Sequence, residues 1–371
     1  PPRPSLELAK RLLGFTGEDF EKISSIFTNA INDGRPIIIH GDYDVDGICA
    51  TAIIWQAIYH DLGYKNCRPF IPNRFDHGYG LSKESIDAIV KDLSLYLTNN
   101  QELKAENPAL LVTVDCGITA FEEVEYAKSK GFEVLIVDHH TKPETIPDCF
   151  VFWSDRVCAA GLSYIISQVL NHGQTDFLEL AALGTVADLQ PLLGFNRSLT
   201  KFGLEGLNST KNAGLKALKK ISGIEGKNIG TFEIGWILAP RLNASGRLEN
   251  ALESLRLLCT ENEDRALKIA EKLNSLNLER QELTKASVDL ALSITQGKSL
   301  SKINVAVHED FHEGIIGLVA GKLVSHFGTP AVVISKGEEF SKASARSVEG
   351  FNIVEFLRSL GPHFENIGGH A

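Results

Sequence analysis

The chain has 371 residues, of which 43% are hydrophobic and 23% charged, and its formal net charge is −10. This length allows two domains with separate cores, and the composition is typical of a soluble globular protein. The negative charge argues against general affinity for a phosphate backbone, so any nucleic-acid contact should be a local basic strip or a metal-bridged site. Because the sequence has no membrane-length apolar run, no signal-peptide pattern and no CxxC among its 6 cysteines, we expect a cytoplasmic protein without a membrane partner.

Short apolar runs alternate with helical patterns through the first half of the chain. They predict strands at 36–39, 110–114, 134–137 and 149–153, with helices at 48–62 and 120–130 between them. Continuous apolar runs that alternate with helices indicate an α/β fold with a parallel, doubly wound sheet. Ligands of such sheets gather beyond the carboxyl ends of the strands.

A long helical pattern without Pro or Gly runs from Glu261 to about Ser293 and predicts a helix that connects two domains. Beyond Gly297, the strand-like segments INVAVHED and AVVIS begin a second, smaller α/β unit. We therefore predict a catalytic domain at 1–260, a connecting helix at 261–296 and a substrate-binding domain at 297–371. The chain ends partway through a motif, so we expect this last domain to be truncated.

Carboxylates and imidazoles follow three of the predicted strands, so they should meet at one edge of the sheet. A single Asp in such a place is usually a turn former or a helix cap, and a single His is usually a satisfied polar residue. The whole set is different, because converging carboxylates without a cation repel one another strongly. Mixed Asp and His ligands suit Mn²⁺, Mg²⁺ or Fe, and so many carboxylates predict two divalent cations about 3.5–4 Å apart. The set comprises His40, Asp42, Asp44, Asp46, Asp115, Asp138, His139, His140 and, from a later segment, Asp188.

The sequence contains the motifs DYDVDG, VTVDCG, VDHH and GTVADLQPL, and also IPNRFDHGYGL, APRLNASGR, HEGIIGLVAGKL, KASARSVEGFN and GGHA. The first four resemble the motifs of the DHH phosphoesterase superfamily. The other five make the chain similar, within that superfamily, to the RecJ group of single-strand-specific 5′→3′ exonucleases, and the resemblance extends from Pro36 to Ala371.

The resemblance implies a role for each acidic and histidine residue. Asp42 would orient a metal-bound water, His140 would face the scissile phosphate as a hydrogen-bond donor or acid, and Asp138 would anchor its own loop. Asp115 would bridge the two ions, Mn²⁺ or Mg²⁺. The resemblance implies that one ion is held by His40, Asp44 and Asp115. It implies that the other ion is held by Asp46, Asp115, His139 and Asp188.

Several arginines lie in glycine-rich or small-residue segments, where a guanidinium fork can match phosphate oxygens. For any single arginine a structural ion pair is about as good an interpretation. The resemblance favours the phosphate role and implies a pocket for a 5′-terminal phosphate, to which Arg74, Ser344 and Arg346 match best. The full predicted substrate-binding set is Arg74, Arg241, Arg247, Ser344, Arg346, Gly369 and His370.

These expectations lead to a two-metal hydrolase that degrades single-stranded DNA from the 5′ end to nucleoside 5′-monophosphates in DNA repair and recombination. We expect a monomer whose partners are single-stranded DNA, a single-stranded-DNA-binding protein and a repair helicase. Two alternatives stay open: a DHH phosphodiesterase for short oligonucleotides or cyclic dinucleotides, and a single-strand-binding relative without turnover. The complete set of ligands argues against the second alternative.

Overall fold

The computed structural model describes residues 1–96, 108–172, 176–295, 302–361 and 364. The chain forms two compact units, 1–274 and 275–371. Their boundary falls inside a helix at Glu263–Thr295, so the predicted long connecting helix is confirmed. Within the described ranges, no helix combines the length and apolar character needed to cross a lipid bilayer.

The first unit is built on a five-stranded sheet in the order β2-β1-β3-β4-β5, in which all neighbouring strands are parallel. The strands predicted from apolar runs are present within two residues at each end, and β2 is an additional edge strand. The strands are β1 (Ile37–His40), β2 (Cys67–Phe70), β3 (Ala109–Val114), β4 (Phe132–Asp138) and β5 (Phe150–Trp153).

Helices cover both faces of this sheet, as a doubly wound fold requires. Ile38, Leu111 and Ile136 belong to a core cluster with Ile86 and Val124, which lie on the helices that cover one face. The helices of the unit are α1 (Leu6–Leu13), α2 (Gly17–Asn32), α3 (Val45–Gln56), α4 (Lys83–Tyr96), α5 (Phe121–Ser129), α6 (Ala159–Leu170), α7 (Leu178–Ala187), α8 (Gly194–Asn208), α9 (Ala213–Ile221), α10 (Thr231–Glu233), α11 (Ala239–Leu248) and α12 (Leu252–Cys259), followed by α13 (Glu263–Thr295).

Two π-helical turns interrupt these helices. The first, Ala57–Asp61, continues α3, and the second, Ile234–Leu238, joins α10 to α11. Each turn is marked by a backbone hydrogen bond between residues five apart, such as the one that Ala239 N–H donates to the Ile234 carbonyl.

The second unit contains a three-stranded sheet in the order β6-β7-β8. The first pair of strands is parallel and the second antiparallel, with Val333 opposite Ser344 and Ala331 opposite Arg346. The predicted strands in INVAVHED and AVVIS are confirmed, and β8 is an additional strand in the KASAR segment. The elements are β6 (Asn304–His308), α14 (Ile316–Phe327), β7 (Ala331–Ser335), β8 (Lys342–Arg346) and α15 (Ile353–Ser359).

Candidate metal centre

The predicted acidic residues meet at the carboxyl edge of the five-stranded sheet. The strands β1, β3 and β4 are adjacent, and each leads into one of the candidate segments. Asp115 directly follows β3, and Asp138 is the last residue of β4. The segment after β1 contains Asp42, Asp44 and Asp46 and leads into α3. The neighbouring positions of these three strands therefore explain why the carboxylates converge.

The loop after β1 is held by the start of α3. The Asp44 carboxylate caps this helix, because its Oδ1 accepts hydrogen bonds from the backbone N–H groups of Asp46 at 2.9 Å and Gly47 at 3.1 Å. Gly47 allows the helix to approach the loop closely, since a Cβ at this position would lie 2.7 Å from the backbone nitrogen of Asp42. The DYDVDG motif is therefore a tight strand-to-helix turn that keeps its carboxylates close together.

Asp46 is fixed by a second helix. Its two carboxylate oxygens accept hydrogen bonds from the N–H groups of Ala159 at 2.8 Å and Ala160 at 2.9 Å, at the amino end of α6. The positive end of this helix therefore helps to hold the negative charge. Gly184 on α7 makes room for the carboxylate, because a Cβ there would lie 2.7 Å from Asp46 Oδ1.

Asp115 has a left-handed backbone conformation, with φ of 64°. Residues other than glycine rarely adopt this conformation, and those that do are concentrated at functional sites. The Asp115 N–H donates a 3.0 Å hydrogen bond to the Val137 carbonyl, so pairing with β4 holds the backbone there. The residue is 3% exposed, and its Oδ1 lies 3.1 Å from His139 Nε2.

Among the residues that the structure describes, three groups of side chains have ligand atoms close enough to share a metal ion, within 4.8 Å of one another. Asp115 and His139 each occur in two of the groups, which fits ions that share ligands. Asp42 Oδ1 is buried and has no hydrogen-bond partner in the described part of the chain, as expected of an oxygen that faces a cation. The groups are Asp42, Asp44 and Asp115; Asp46, His139 and Asp188; and Asp115, His139 and His140.

Burial and mutual repulsion disfavour the charged form of these carboxylates. Burial, followed by the Asp44 charge, raises the pKa of Asp42 to about 8. Burial raises the pKa of Asp46 to about 6 and that of Asp115 well above its ordinary value, and neighbouring carboxylates add to both. A divalent cation would remove this penalty, because it favours the ionised oxygens. The donor set therefore fits hard cations such as Mn²⁺ and Mg²⁺.

Asp138 anchors the loop that follows β4, as predicted. Its Oδ2 accepts a hydrogen bond from Ile118 N–H at 2.9 Å, and its Oδ1 lies 2.7 Å from His140 Nδ1. The other ring nitrogen of His140 lies 3.3 Å from the hydroxyl of Tyr79. Burial lowers the pKa of His140, but the hydrogen bond with Asp138 and the negative charges of Asp138, Asp42 and Asp188 together raise it overall. Contacts at both ring nitrogens therefore hold the imidazole of His140 in position.

His40 is fully buried, and none of the three groups includes it. Its Nε2 lies 3.2 Å from Ser85 Oγ, and its Nδ1 lies 3.7 Å from Cys116 Sγ. Burial lowers its pKa to about 4, so the imidazole is neutral at pH 7 and in the form that binds metals. Its role as a ligand stays a prediction. Asp42, in contrast, lies close enough to be a direct ligand, although an orienting role was expected.

Gln190 is a contact of the site that the sequence did not reveal. Its Nε2 donates a 2.8 Å hydrogen bond to Asp188 Oδ2 and lies 3.5 Å from His139 Nδ1. It therefore helps to orient two candidate ligands, as the outer partners of metal sites commonly do. The signal in the sequence is its place in the GTVADLQPL motif, two residues after Asp188.

The predicted phosphate-binding arginines of the first unit have different surroundings. The Arg74 guanidinium lies over the Tyr43 ring, 4.2 Å from the ring centroid, directly beside the loop that follows β1. Arg241 donates from Nη1 to the Ile237 carbonyl at 2.7 Å and from Nε to Asn274 Oδ1 at 3.0 Å. Arg247 lies in the last turn of α11.

In the second unit, Ser344 and Arg346 lie at alternate positions of β8 and face the start of α14. A Cβ on Gly317 would lie 3.0 Å from Ser344 Oγ and 3.2 Å from Arg346 Nη2. The guanidinium and hydroxyl therefore lie beside the amino end of a 12-residue helix, where backbone N–H groups favour anions. Gly369 and His370 lie outside the described residues.

The raised carboxyl pKa values predict that the metal-free chain loses stability as the pH rises. A group whose pKa is higher in the folded state than in the unfolded state stabilises the fold at low pH and loses that contribution as pH passes the folded-state value. The pKa values of Asp42, Asp115 and His140 are all raised in the folded chain. The lowered pKa of His40 has the opposite effect on stability, but only below about pH 6.5, the ordinary pKa of histidine.

We therefore expect the Tm of the chain in EDTA to fall between about pH 7 and pH 9. Added Mn²⁺ should raise the Tm by an amount that grows over the same range, because the cation binds the ionised carboxylates. Thermal unfolding with and without metal measures both effects. A Tm in EDTA that rises across this range would contradict the assignment of the buried carboxylate cluster.

Comparison with known proteins agrees with this fold. The model of the DHH family, N-terminal domain, matches residues 36–185, and the DHHA1 domain matches residues 300–371. The single-stranded-DNA-specific exonuclease RecJ of Bacillus subtilis is 34% identical over 358 residues, which are 92% of this chain and 43% of that protein. The chain thus spans less than half the length of that relative and 65% of the RecJ of Escherichia coli.

Two solved structures of RecJ proteins superpose on most of the chain. RecJ of Thermus thermophilus in complex with Mn²⁺ has a TM-score of 0.80 at 30% identity, and the match covers 95% of this chain and 51% of that one. An exonuclease RecJ bound to manganese has a TM-score of 0.78 at 31% identity, over 92% of this chain and 85% of that one. The chain belongs to the RecJ family of DHH-domain proteins.

Proposed function

We propose that the chain is the catalytic part of a metal-dependent exonuclease that hydrolyses single-stranded DNA from the 5′ end. The observation that carries this proposal is the convergence of carboxylates and imidazoles in three overlapping groups at one edge of the sheet. The RecJ relatives are named single-stranded-DNA-specific exonucleases, and two of their structures contain manganese.

Two ions are the best fit to the donor set. Asp42, Asp44 and Asp115 would hold one, and the group of Asp46, His139 and Asp188 would hold the other. Asp115 would contact both, because it also lies within ligand distance of His139. When bound, the two cations would supply a hydroxide at neutral pH and neutralise the charge that develops on the phosphate.

His140 is suited to protonate the leaving oxygen of the reaction. Asp138 holds its Nδ1, so the proton that the ring can give up in the reaction is the one at Nε2. The raised pKa keeps a larger fraction of the imidazole protonated near neutral pH, and a protonated imidazole can donate to an alkoxide as it departs. The Tyr79 hydroxyl, 3.3 Å from Nε2, supports the orientation of the ring.

A 5′-phosphate would bind where a guanidinium, a hydroxyl and a helix start lie together. Arg346 and Ser344 beside Gly317 form this combination in the second unit. Arg74, which lies beside the loop of the metal site in the first unit, stays a predicted phosphate contact. Arg241, Arg247, Gly369 and His370 stay predicted contacts of the strand.

The decisive experiment is hydrolysis of a single strand labelled at its 5′ end, in the presence of Mn²⁺. A 5′→3′ exonuclease should release the labelled mononucleotide first, and a matched duplex should be cut far more slowly. Release from the 3′ end would refute the RecJ-type direction. Cleavage of only short oligonucleotides or cyclic dinucleotides would favour a phosphodiesterase. Binding of single strands without cleavage would favour a relative that has lost turnover.

We further infer that the protein works in the cytoplasm. Its proposed partners beyond the DNA strand are a single-stranded-DNA-binding protein and a repair helicase, which would supply the substrate. A monomer is the proposed state of assembly. Size measurement in solution, alone and with single-stranded DNA, tests this state directly.

A further inference from the structure

An aromatic pair lies exposed on the first unit, outside the metal centre. Phe232 on α10 is 62% exposed, and Trp236 on the following π-helical turn is 75% exposed. Their ring centroids are 6.4 Å apart with an interplanar angle of 29°, so the two rings form a stacked platform, here called the aromatic pair. Single exposed apolar residues are common on proteins, but an exposed tryptophan stacked on an exposed phenylalanine provides a much larger apolar surface.

An arginine follows this platform on the same stretch of helix. Trp236 lies in the π-helical turn Ile234–Leu238, and Arg241 lies five residues later, in α11. Its guanidinium is held by the Ile237 carbonyl at 2.7 Å. Turns of this kind are rare and frequently occur at functional sites.

The same helix leads directly to the metal centre. Asn243 Oδ1 accepts a 3.0 Å hydrogen bond from Val45 N–H in the DYDVDG turn. A Cβ on Gly246 would lie 2.5 Å from the Tyr43 carbonyl of that turn. Trp236 precedes Asn243 by seven residues, which is about 10 Å along a helix. The aromatic pair is therefore a few nucleotides of extended strand away from the candidate metal ligands.

The charge of this part of the chain favours a polyanion over a basic or neutral partner. The residues from 191 to 248 include nine Lys or Arg and three Glu, whereas the whole chain has a net charge of −10. Aromatic rings beside positive charge are the usual means by which proteins bind single strands, since every base can stack on a ring whatever its identity.

We infer that the aromatic pair of Phe232 and Trp236 binds single-stranded nucleic acid by stacking on bases that lie beyond the scissile bond. This inference rests on the proposed function for the position of the strand, and it adds a site at which bases, not phosphates, are bound. Trp236 acts as a positioning residue for long substrates, because it holds the strand without touching the reacting atoms.

The test compares a thymidine oligomer with an abasic strand of the same length, about 15 nucleotides, which is within the site sizes of single-strand-binding folds. Each carries a 3′ fluorescent label, and binding to the full chain is measured by anisotropy in EDTA so that no hydrolysis occurs. Trp236→Ala should weaken binding of the thymidine strand about tenfold or more, because stacking contributes about 1–3 kcal/mol per base. Binding of the abasic strand should be unchanged, and Trp236→Phe should restore most of the loss.

The chain offers a matched control at the opposite edge of the sheet. Trp55 and Tyr59 also stack four residues apart beside a π-helical turn, at the far end of α3 from the metal centre. Tyr59→Ala should leave the affinities for the thymidine strand and for the abasic strand unchanged. Equal loss on both strands, or no loss on the thymidine strand, would overturn the inference and favour a protein-binding surface.

The proposed function is tested separately in the same preparation. Cleavage of the thymidine strand by the unsubstituted chain in Mn²⁺ reports the nuclease. Thymidine-specific binding without any cleavage would refute the nuclease and leave the stacking site established. Cleavage of the thymidine strand, with equal binding of the thymidine and abasic strands, would support the nuclease and refute the stacking site.

Discussion

Replacing Asp115 by asparagine is expected to reduce hydrolysis of single-stranded DNA by at least about a thousandfold, which corresponds to about 4 kcal/mol of transition-state stabilisation. The reason is that this carboxylate belongs to two of the three ligand groups, so its loss weakens both proposed cation sites. The same substitution should raise the Tm of the metal-free chain at pH 8. Burial and the neighbouring carboxylates raise the pKa of Asp115, and asparagine removes a charge that the apo site tolerates poorly.

Asparagine is the informative replacement because of the backbone at this position. Asp115 has φ of 64°, which asparagine tolerates better than most residues and alanine tolerates poorly. Asp115→Ala would therefore mix backbone strain with the loss of the ligand. The asparagine variant changes the charge alone, and its metal content, measured after dialysis against Mn²⁺, should fall with activity.

Asp148→Asn serves as the control for a lost carboxylate. This side chain is 95% exposed, pairs with Lys128 and belongs to none of the ligand groups. It should leave metal content and hydrolysis at the level of the unsubstituted chain. If Asp115→Asn keeps its activity within tenfold of that level, the two-metal assignment is wrong.

The central strands could be predicted from the sequence, as could the edge strands β5 and β6, whereas the edge strands β2 and β8 could not. The strands β1, β3 and β4 are buried on both faces, so each appears as a continuous apolar run. The edge strand β2 contains Pro69, and the edge strand β8 is largely polar. Proline and polar residues are tolerated at an edge, where one side of the backbone has no partner strand. Such a strand has no periodic signal that a sequence reader can use.

The convergence of carboxylates at one edge of the sheet could be predicted from the sequence, but the geometry of the cluster could not. Each candidate Asp could be either a helix cap or a ligand by sequence, and the structure shows that these alternatives do not exclude each other. Asp44 caps α3 and Asp46 caps α6, while both also belong to ligand groups. Hydrogen bonds from helix ends hold the carboxylates in place before any cation binds.

Contacts between distant segments account for what the sequence left out. Ser85 and Cys116 lie against the ring of His40, although they are separated from it by 45 and 76 residues. Nothing local marks either as a partner of a histidine. The same holds for Gly184, whose importance lies in the space it leaves for Asp46. Such relations depend on the packing of whole elements, and one sequence carries no record of them.

The final prediction concerns the phosphate group at the 5′ end of the strand. If Arg346 and Ser344 bind a terminal phosphate, a 5′-phosphorylated strand should be cut faster than a 5′-hydroxyl strand. Arg346→Ala should reduce this ratio at least about tenfold, because a hydrogen bond to a charged group contributes about 1.5–3 kcal/mol. Metal content should not change, since Arg346 belongs to none of the ligand groups.

A second variant tests the geometry of the pocket without removing charge. Gly317→Ala would place a Cβ 3.0 Å from Ser344 Oγ and 3.2 Å from Arg346 Nη2, and should reduce the same ratio by filling the space between them. Arg358→Ala is the matched control, because this exposed arginine lies on α15 of the same unit and should leave the ratio intact. Equal rates of the unsubstituted chain on both kinds of 5′ end, or an equal effect of Arg358→Ala, would show that β8 and the start of α14 do not form the phosphate pocket.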